Sequence, residues 1–370
     1  MTTKPENVKW VDGLRGFASL LVVFTHICRA FDEDLFKPTS AEGAAPRILQ
    51  YPIIRILFQG RIGVTIFSLV TGYVCALKPL RQIRAGQQDA ALKGISRSAF
   101  RRVPRLILPA TLATTIICML VYMFLVATAY CKAKYRMILE LAMFVYYYIS
   151  NDSAFGMQFF FGVFLADLSQ HPPHQAWTAA HKWPGRFLSP ILILIGLLLA
   201  SYPEDKAQWM TWSRIMGVSS EYLFPKDNET PRFYSGIGLV SIALGIHFSN
   251  AVKNVLSNKY LLWFGKNSFA VYLLHGSLLR SLLVWMYFGI KVPADVTDEH
   301  GNVRPGPNLV ICGRARWYFW MPIWFVILYW VANLWTKHVD PLCARLTEKL
   351  VSYVFEDQPD PNVEKRILPQ

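Results

Sequence analysis

The chain has 370 residues, of which 53% are hydrophobic and only 17% are charged, and it includes 12 tryptophans. The apolar residues are concentrated in runs, which excludes a soluble globular domain and indicates a protein that crosses a membrane several times. The formal net charge is +14. Because the positive-inside rule accounts for most of this charge, we expect no nucleic-acid partner.

The first apolar run, from Gly13 to Phe31, contains two ionisable residues, Arg15 and His26. At about 100° per residue, their separation along a helix amounts to three turns plus about 20°, so both side chains point from one face. Asp12 and Ser19 extend this polar stripe. Ionisable side chains at membrane depth cost on the order of 3 kcal/mol each and usually face a protein interior or a watery pathway. The stripe therefore predicts a cavity; in the alternative interpretation, Arg15 reaches the headgroups and His26 only packs between helices.

Eight further apolar runs follow, so we predict an all-α polytopic membrane protein with about nine transmembrane helices, within a range of eight to ten. Their approximate limits are Ile62–Leu77, Leu106–Ala129, Ile138–Ile149, Phe155–Leu168, Phe187–Ser201, Phe233–Phe248, Ser268–Phe288 and Trp317–Thr336. The first run is interpreted as an uncleaved signal anchor, because no small-residue cleavage site follows it. We expect residues 1–345 to form one membrane domain and residues 346–370 a cytoplasmic tail.

The charges orient the chain. The segment from Lys78 to Arg105 holds eight basic residues and one acid, which predicts a cytoplasmic loop and a cytoplasmic N-terminus. Segment Tyr202–Arg232, with five acids and four bases, falls on the other side, together with two glycosylation sequons, at Asn151 and at Asn228, the better candidate. The membrane is expected to be an endomembrane, such as that of the endoplasmic reticulum, or the plasma membrane.

One stretch breaks the alternation of sides. Lys132, Lys134 and Arg136 resemble a cytoplasmic cluster, yet a single run, Leu106–Ala129, separates them from the cytoplasmic Arg105. Either these bases lie outside and residues 138–168 form one long kinked span, or a crossing is missing near residues 119–130.

Cysteine and histidine spacing gives no support for a metal site. The six cysteines form no C-x-x-C pair, and we interpret most of them as small apolar packing residues. His171, His174 and His181 lie in a Pro-rich segment, which is predicted to be a solvated loop. We therefore expect no metal cofactor.

Four segments occur in the order of a known family's motifs. They are Asp12-Gly13-Leu14-Arg15-Gly16-Phe17-Ala18 with His26 beyond it, Gly63-Val64-Thr65-Ile66-Phe67-Ser68-Leu69-Val70-Thr71-Gly72-Tyr73, Arg101-Arg102-Val103-Pro104-Arg105-Leu106-Ile107-Leu108-Pro109, and Phe264-Gly265-Lys266-Asn267-Ser268-Phe269-Ala270-Val271-Tyr272-Leu273-Leu274-His275. They resemble the motifs of the membrane-bound acyltransferase 3 family, and the chain looks closest to its fungal branch. The first matches the family's pattern of an Arg and a His separated by ten residues. The second is similar to its Phe-Phe-x-x-Ser-Gly helix. The third is similar to an Arg-rich helix entry, and the fourth to a Ser-x-x-x-Tyr-Leu-x-His helix.

The chain also departs from the family. Ser68 replaces the second Phe of the second motif, and Thr71 replaces its Ser while keeping a hydroxyl. Fungal members usually carry a Trp-Thr-Ile-Pro-x-Glu segment after the third span, and this sequence has none. That segment belongs where the alternation of sides breaks, so a natural deletion, or an exon omitted from the gene model, would explain both observations.

The resemblance implies transfer of an acyl group, expected to be acetyl, from acyl-CoA to a hydroxyl. It assigns catalytic roles to His26 and Arg15, with His26 either as general base or as the site of a covalent acyl-imidazole. Arg101, Arg102 and Arg105 would bind the phosphates of acyl-CoA; the alternative is that they only set the topology. The expected substrate-cavity residues are Asp12, Ser19, Thr71, Tyr272 and His275.

The implied partners are acyl-CoA, membrane lipid and an acceptor, which is a small molecule such as a secondary metabolite, a lipid or a glycan. Two other functions stay open: a catalytically inactive relative, and a membrane transporter or binding protein. The ordered motifs favour the enzyme, and the missing segment favours the inactive relative.

Overall fold

The computed structural model describes residues 8–107, 120, 122–289, 296–297, 303–304 and 314–354. Its helices are α1 (Lys9–Phe31), α2 (Gly60–Arg84), α3 (Gln88–Ile107), α4 (Ala133–Ile149), α5 (Gly156–Ser169), α6 (Pro172–Ala180), α7 (Ser189–Ala200), α8 (Thr211–Leu223), α9 (Thr230–Phe248), α10 (Asn250–Leu256), α11 (Lys259–Leu278), α12 (Val284–Phe288) and α13 (Arg314–Val354). Short 3-10 turns lie at Glu33–Phe36, Ile48–Gln50, Ile54–Phe58 and Ala207–Trp209, and wider π turns at Pro184–Leu188 and Leu279–Leu283. Two-residue strands, β1 (Val296–Thr297) and β2 (Val303–Arg304), pair antiparallel.

The prediction of an all-α membrane protein is confirmed, but the count of about nine spans is not. Four helical segments in the described residues are long and apolar enough to cross a membrane: Lys9–Phe31, Gly60–Arg84, Lys259–Tyr287 and Phe319–Tyr353. The count rises to six if two bent pairs each form one span. These pairs are α6 with residues 184–200, bent by 82°, and α9 with α10, bent by 105°. Three predicted runs are not counted: α4 and α5 are shorter than the roughly 20 residues of a full span, and much of Leu106–Ala129 lies outside the described residues.

Helix α1 is the centre of the bundle and packs closely against α2 and α11. Glycines permit this approach: a Cβ on Gly265 would overlap the carbonyl of Asp12, and one on Gly63 would lie 2.9 Å from the carbonyl of Ala18. Pairing of Asp12 with Gly265 and of Arg15 with Ser268 shows that α1 and α11 run in the same direction. The two polar helices therefore stand side by side over their whole length.

Helices α4 and α5 form an antiparallel hairpin, which contradicts the alternative of one long kinked span across residues 138–168. Tyr147 stacks on Phe160 with ring centroids 5.5 Å apart, and further along the hairpin Arg136 contacts Asp167. Asp167 also binds Arg84 at the end of α2. Arg136 therefore lies at the same end of the bundle as Arg84, as the second alternative requires. A crossing was suspected to be missing near residues 119–130; of these, residues 119 and 121 lie outside the described part of the chain, and residues 122–127 are helical.

Four charged side chains at this end form a buried ionic cluster. The Asp167 carboxylate is 0% exposed and accepts hydrogen bonds from Arg84 (2.6 and 2.9 Å) and Arg136 (2.8 and 2.9 Å). Glu140 is equally buried, one helical turn from Arg136 and 3.9 Å from its Nε. The cluster ties the ends of α2, α4 and α5 together.

The bundle has two ends of different character, which we call the basic end and the opposite end. The basic end holds the start of α1, the end of α2, helix α3 and the ionic cluster. The opposite end holds residues 32–59, 150–155 and 201–229, joined by contacts such as Asn151 Nδ2 to the Lys226 carbonyl (3.0 Å) and Gln59 Nε2 to the Tyr202 carbonyl (3.1 Å). Both sequons therefore lie at the opposite end.

The C-terminal helix α13 has 41 residues and is therefore about 60 Å long, roughly twice the hydrocarbon thickness of a bilayer. It packs antiparallel to α11, with the Trp324 indole donating to the Leu278 carbonyl (3.2 Å) and Tyr329 against Phe264. It continues without a break across residues 345–346, so the predicted tail begins within a helix. Residues 355–370 lie outside the described part of the chain.

The Pro-rich segment predicted to be a loop is helical. Pro172 and Pro173 start α6, where a missing backbone N–H costs nothing. His174 lies with its Nε2 2.9 Å from Nε2 of His247, so it packs against α9.

Candidate active site

The polar stripe of α1 faces α11. Nη2 of Arg15 donates to the Ser268 hydroxyl at 3.3 Å, and Nη1 lies 3.5 Å from the Asp12 carboxylate. The Ser268 hydroxyl donates a hydrogen bond to the Gly265 carbonyl (2.8 Å), so its oxygen is oriented to accept from Arg15. The Arg15 charge is therefore held by a carboxylate on its own helix and a hydroxyl on α11.

The second contact of the stripe is a histidine pair. The rings of His26 and His275 have centroids 5.0 Å apart and are inclined by 42°. His275 is buried, whereas His26 is exposed beside it. Two ring systems able to carry protons thus lie side by side, and one of them is accessible to a substrate.

The backbone of α11 assigns the tautomer of His275. Its Nδ1 lies 3.0 Å from the Val271 carbonyl, which can only accept a hydrogen bond. Nδ1 therefore carries a proton, and in the neutral ring Nε2 is an acceptor. A carbonyl that fixes one nitrogen in this way leaves the other available for proton transfer.

Aromatic side chains line the histidine pair on one side. Tyr272 lies one turn before His275 with ring centroids 6.0 Å apart, and it is 45% exposed. Phe67 of α2 contacts the Tyr272 ring edge-on at 5.9 Å. Helix α2 thus takes part in the wall of the site through Phe67, a residue that sequence reasoning did not select.

Two predicted cavity residues direct their hydroxyls elsewhere. Thr71 donates to the Phe67 carbonyl (2.7 Å) and Ser19 to the Gly16 carbonyl (2.8 Å), each within its own helix. Ser19 is buried and Thr71 half-buried. Both residues lie near the site, but their hydroxyls donate to backbone carbonyls, as is common for hydroxyls in helices.

The site has two separate parts. Arg15 and His26 share a face but are separated by eleven residues, about 16 Å along α1. Arg15 lies toward the basic end, and the histidine pair lies nearer the opposite end, one turn before Arg29 and its ion pair with Glu204 (3.0 Å). A ligand that contacts both parts must be elongated and must lie along α1.

The predicted donor-site arginines, Arg101, Arg102 and Arg105, belong to α3. The structure describes the helix at these positions but not the three side chains, so their role stays a prediction. Among the described residues, no three His, Cys, Asp or Glu side chains are grouped to hold a metal ion.

Residues 8–135 match a family model described as an acyltransferase domain, that of the acyltransferase 3 family. These residues are similar to an acyltransferase 3 domain. The resemblance predicted from the motifs is confirmed for this part of the chain. The acyltransferase 3 match covers α1, α2 and α3, and with them Arg15, His26 and Thr71. Tyr272 and His275 lie outside it and join the site only through the packing of α11 on α1.

A relative from Phomopsis amygdali, an O-acetyltransferase named PaAT-1, is 36% identical over 109 residues. The match covers 29% of this chain and 21% of the relative, so the chain spans about a fifth of the relative's length. No solved structure matches the chain.

Proposed function

We propose that this protein is a membrane O-acyltransferase that moves an acyl group, with acetyl as the leading candidate, from acyl-CoA to an acceptor hydroxyl. The observation that supports this most strongly is the contact between His26, on the polar face of α1 within the region similar to an acyltransferase domain, and His275 of α11. The similarity to an O-acetyltransferase supports the acetyl group.

The histidine pair suits the chemistry of the transfer. A hydroxyl is a poor nucleophile at neutral pH, so an imidazole within hydrogen-bond reach must accept its proton as it attacks the thioester carbonyl. We assign this role to His26, because it is the exposed member of the pair. The oxygen–carbon bond forms, the carbon–sulfur bond breaks, and the proton held by His26 passes to the departing thiolate. His275 is a positioning residue that orients the His26 ring. In the covalent alternative, a His26 nitrogen attacks the thioester and CoA leaves as its thiol; the acceptor hydroxyl then attacks the acyl-imidazole, which forms the ester and frees His26.

The donor would enter at the basic end. CoA is a polyanion, and arginine forks on α3 suit its phosphates. We assign this binding to Arg101, Arg102 and Arg105. In this proposal Arg15, toward the basic end of α1, would contact the extended arm of the donor between the phosphates and the histidines. This arrangement uses the elongated site, with phosphates at one part and the thioester at the other.

The acceptor would meet His26 from the opposite end or from the membrane. Its class is a small metabolite, a lipid or a glycan that carries a free hydroxyl. In this proposal the basic end and the N-terminus are cytoplasmic, since acyl-CoA is a cytoplasmic metabolite, and the protein resides in an endomembrane or the plasma membrane.

The test uses the full chain in nanodiscs with acetyl-CoA labelled in the acetyl group and a panel of alcohols from each acceptor class. We expect label in an ester product and a matching release of free CoA. Binding of acetyl-CoA without ester formation on any acceptor would contradict the proposal and identify an inactive relative. Movement of an alcohol across proteoliposomes without acetylation would identify a transporter.

A further inference from the structure

A buried arginine with unused donors lies at the opposite end of the bundle. Arg55 lies in the 3-10 turn Ile54–Phe58, and its side chain is 0% exposed. Its Nη2 alone contacts three carbonyls, those of Leu35 (3.4 Å), Phe36 (3.0 Å) and Lys37 (3.3 Å). Within the described residues, its Nε and Nη1 have no hydrogen-bond partner. Buried charged donors without partners are costly, so a site of this kind calls for an acceptor.

A second arginine faces the same region. Arg61, in the first turn of α2, has a side chain that is 19% exposed, and its Nε and Nη2 also lack hydrogen-bond partners in the described part of the chain. Glu204 pairs with Arg61 only at a distance, with Arg61 Nη2 3.8 Å from Glu204 Oε2. Both oxygens of Glu204 instead accept hydrogen bonds from Arg29 at 3.0 Å.

The two arginines repel each other. Burial, together with the nearby charge of Arg61, lowers the pKa of Arg55 to about 10. Arg55 therefore remains protonated at neutral pH. The Phe36 carbonyl that accepts from Arg55 also accepts from the backbone N–H of Glu204 (3.0 Å), and the Glu204 side chain lies 3.8 Å from Arg61. Two positive charges, one buried and one largely buried, with four unused N–H nitrogens thus lie in one region. An anion placed between them would accept these hydrogen bonds and remove the repulsion.

We propose that Arg55 and Arg61 form a binding site for an anionic group of the carboxylate or oxyanion class. The ligand is either the acidic group of the acceptor or a free anion from the solution on that side. The location connects it to the candidate active site, since Glu204 bridges Arg61 to Arg29, which lies one turn beyond His26 on α1. A carboxylate or phosphate held here would place the rest of an acceptor beside the histidine pair.

Sulfate is the probe for the site itself. Thermal unfolding of the full chain in nanodiscs is followed by tryptophan fluorescence as sulfate replaces chloride at constant ionic strength. We expect a saturable rise of the midpoint, because a ligand that binds only the folded state stabilises it by mass action. Arg61→Gln should weaken the apparent sulfate affinity at least tenfold, whereas Arg61→Lys, which keeps the charge without the fork, should weaken it less.

Arg214→Gln is the matched control, because Arg214 is an exposed arginine on α8 at the same end. It should leave the sulfate response unchanged. A wild-type protein with no saturable response to sulfate would overturn the proposal, and so would equal responses in Arg61→Gln and Arg214→Gln. The use of Arg61 variants keeps the test valid if Arg55→Gln fails to fold.

A second arm distinguishes the two sources of the anion and rests on the proposed function. If the ligand is the acidic group of the acceptor, sulfate should inhibit acetyl transfer competitively with the acceptor and not with acetyl-CoA. If it is a free anion, sulfate should stabilise the protein without such competition. The unfolding experiment needs no turnover, so it distinguishes failure of the anion site from failure of the proposed activity.

Discussion

Asp167 is the residue whose loss should damage the fold most without touching the candidate active site. It is fully buried and accepts four hydrogen bonds between 2.6 and 2.9 Å from the guanidinium groups of Arg84 and Arg136. Asp167→Asn removes the negative charge while keeping the size of the side chain. The side chain of Arg136 is 1% exposed and that of Arg84 16%, so the Arg136 charge cannot be hydrated without opening the helix ends, and the Arg84 charge is hydrated only in part.

The expected magnitude follows from this burial. Breaking a buried ion pair by neutralising one partner costs about 3 to 5 kcal/mol, a large part of the about 5 to 15 kcal/mol that stabilises a typical folded protein. The matched control is Asp32→Asn, because Asp32 forms an ion pair with Arg47 at 2.8 Å whose side chains are 36% and 42% exposed. An exposed pair contributes about 0 to 1 kcal/mol.

The assay is equilibrium unfolding of the full chain in mixed micelles, with increasing sodium dodecyl sulfate and detection by circular dichroism. We expect Asp167→Asn to lower the free energy of unfolding by several times the loss seen in Asp32→Asn. Equal losses in the two variants would refute the conclusion that the cluster at α2, α4 and α5 is buried and ion-paired.

Three further predictions test other parts of the structure. Gly265→Ala should weaken the α1–α11 contact by about 1 to 3 kcal/mol and reduce acetyl transfer, since the new Cβ would overlap the Asp12 carbonyl. The control is Gly276→Ala on the same helix, whose Cβ meets no atom within 4 Å. Equal transfer rates in the two variants would contradict the packing. The double variant Arg102→Gln/Arg105→Gln should weaken acetyl-CoA binding by about 1.5 to 3 kcal/mol per direct contact, and most at low salt. Isothermal titration with acetyl-CoA measures this, with Arg81→Gln as the control variant. Unchanged affinity would leave these arginines a purely topological role. A cysteine that replaces the exposed Lys134, in a Cys131→Ser background, should react with an impermeant thiol reagent only after the cells are permeabilised. A cysteine that replaces Lys226 should react in intact cells. Labelling of both positions in intact cells would contradict the two-ended arrangement.

The sequence predicted the helices of the site well and their contacts poorly. The helical period placed Arg15 and His26 on one face, and α1 carries both as predicted. The period could not reveal that His275, 249 residues after His26, comes within 5.0 Å of it, because that contact depends on glycines that let two distant helices approach. Glycine in an apolar helix was visible in the sequence and is the signal that could have suggested close packing.

Other contacts and elements could not be predicted from one apolar run at a time. The hydropathy of Phe155–Leu168 predicts a span, but it does not say that Asp167 within it binds arginines from two other helices. The Pro-rich segment before α7 was predicted to be a loop, although prolines at the first positions are compatible with a helix. Arg55 and Arg61 attracted no prediction, since a single basic residue between apolar runs normally reports only topology.

The measurement that tests the central claim most directly is single-turnover acetyl transfer by His26 variants. Wild type, His26→Ala, His26→Gln and the control His174→Gln are mixed with labelled acetyl-CoA and an accepted alcohol, and ester formation is followed by rapid quench. We predict that both His26 variants insert and fold like wild type, bind acetyl-CoA normally and form no ester, because neither alanine nor glutamine can accept the hydroxyl proton, and that His174→Gln forms ester at the wild-type rate. Ester formation by His26→Ala at a rate near that of wild type would contradict the account.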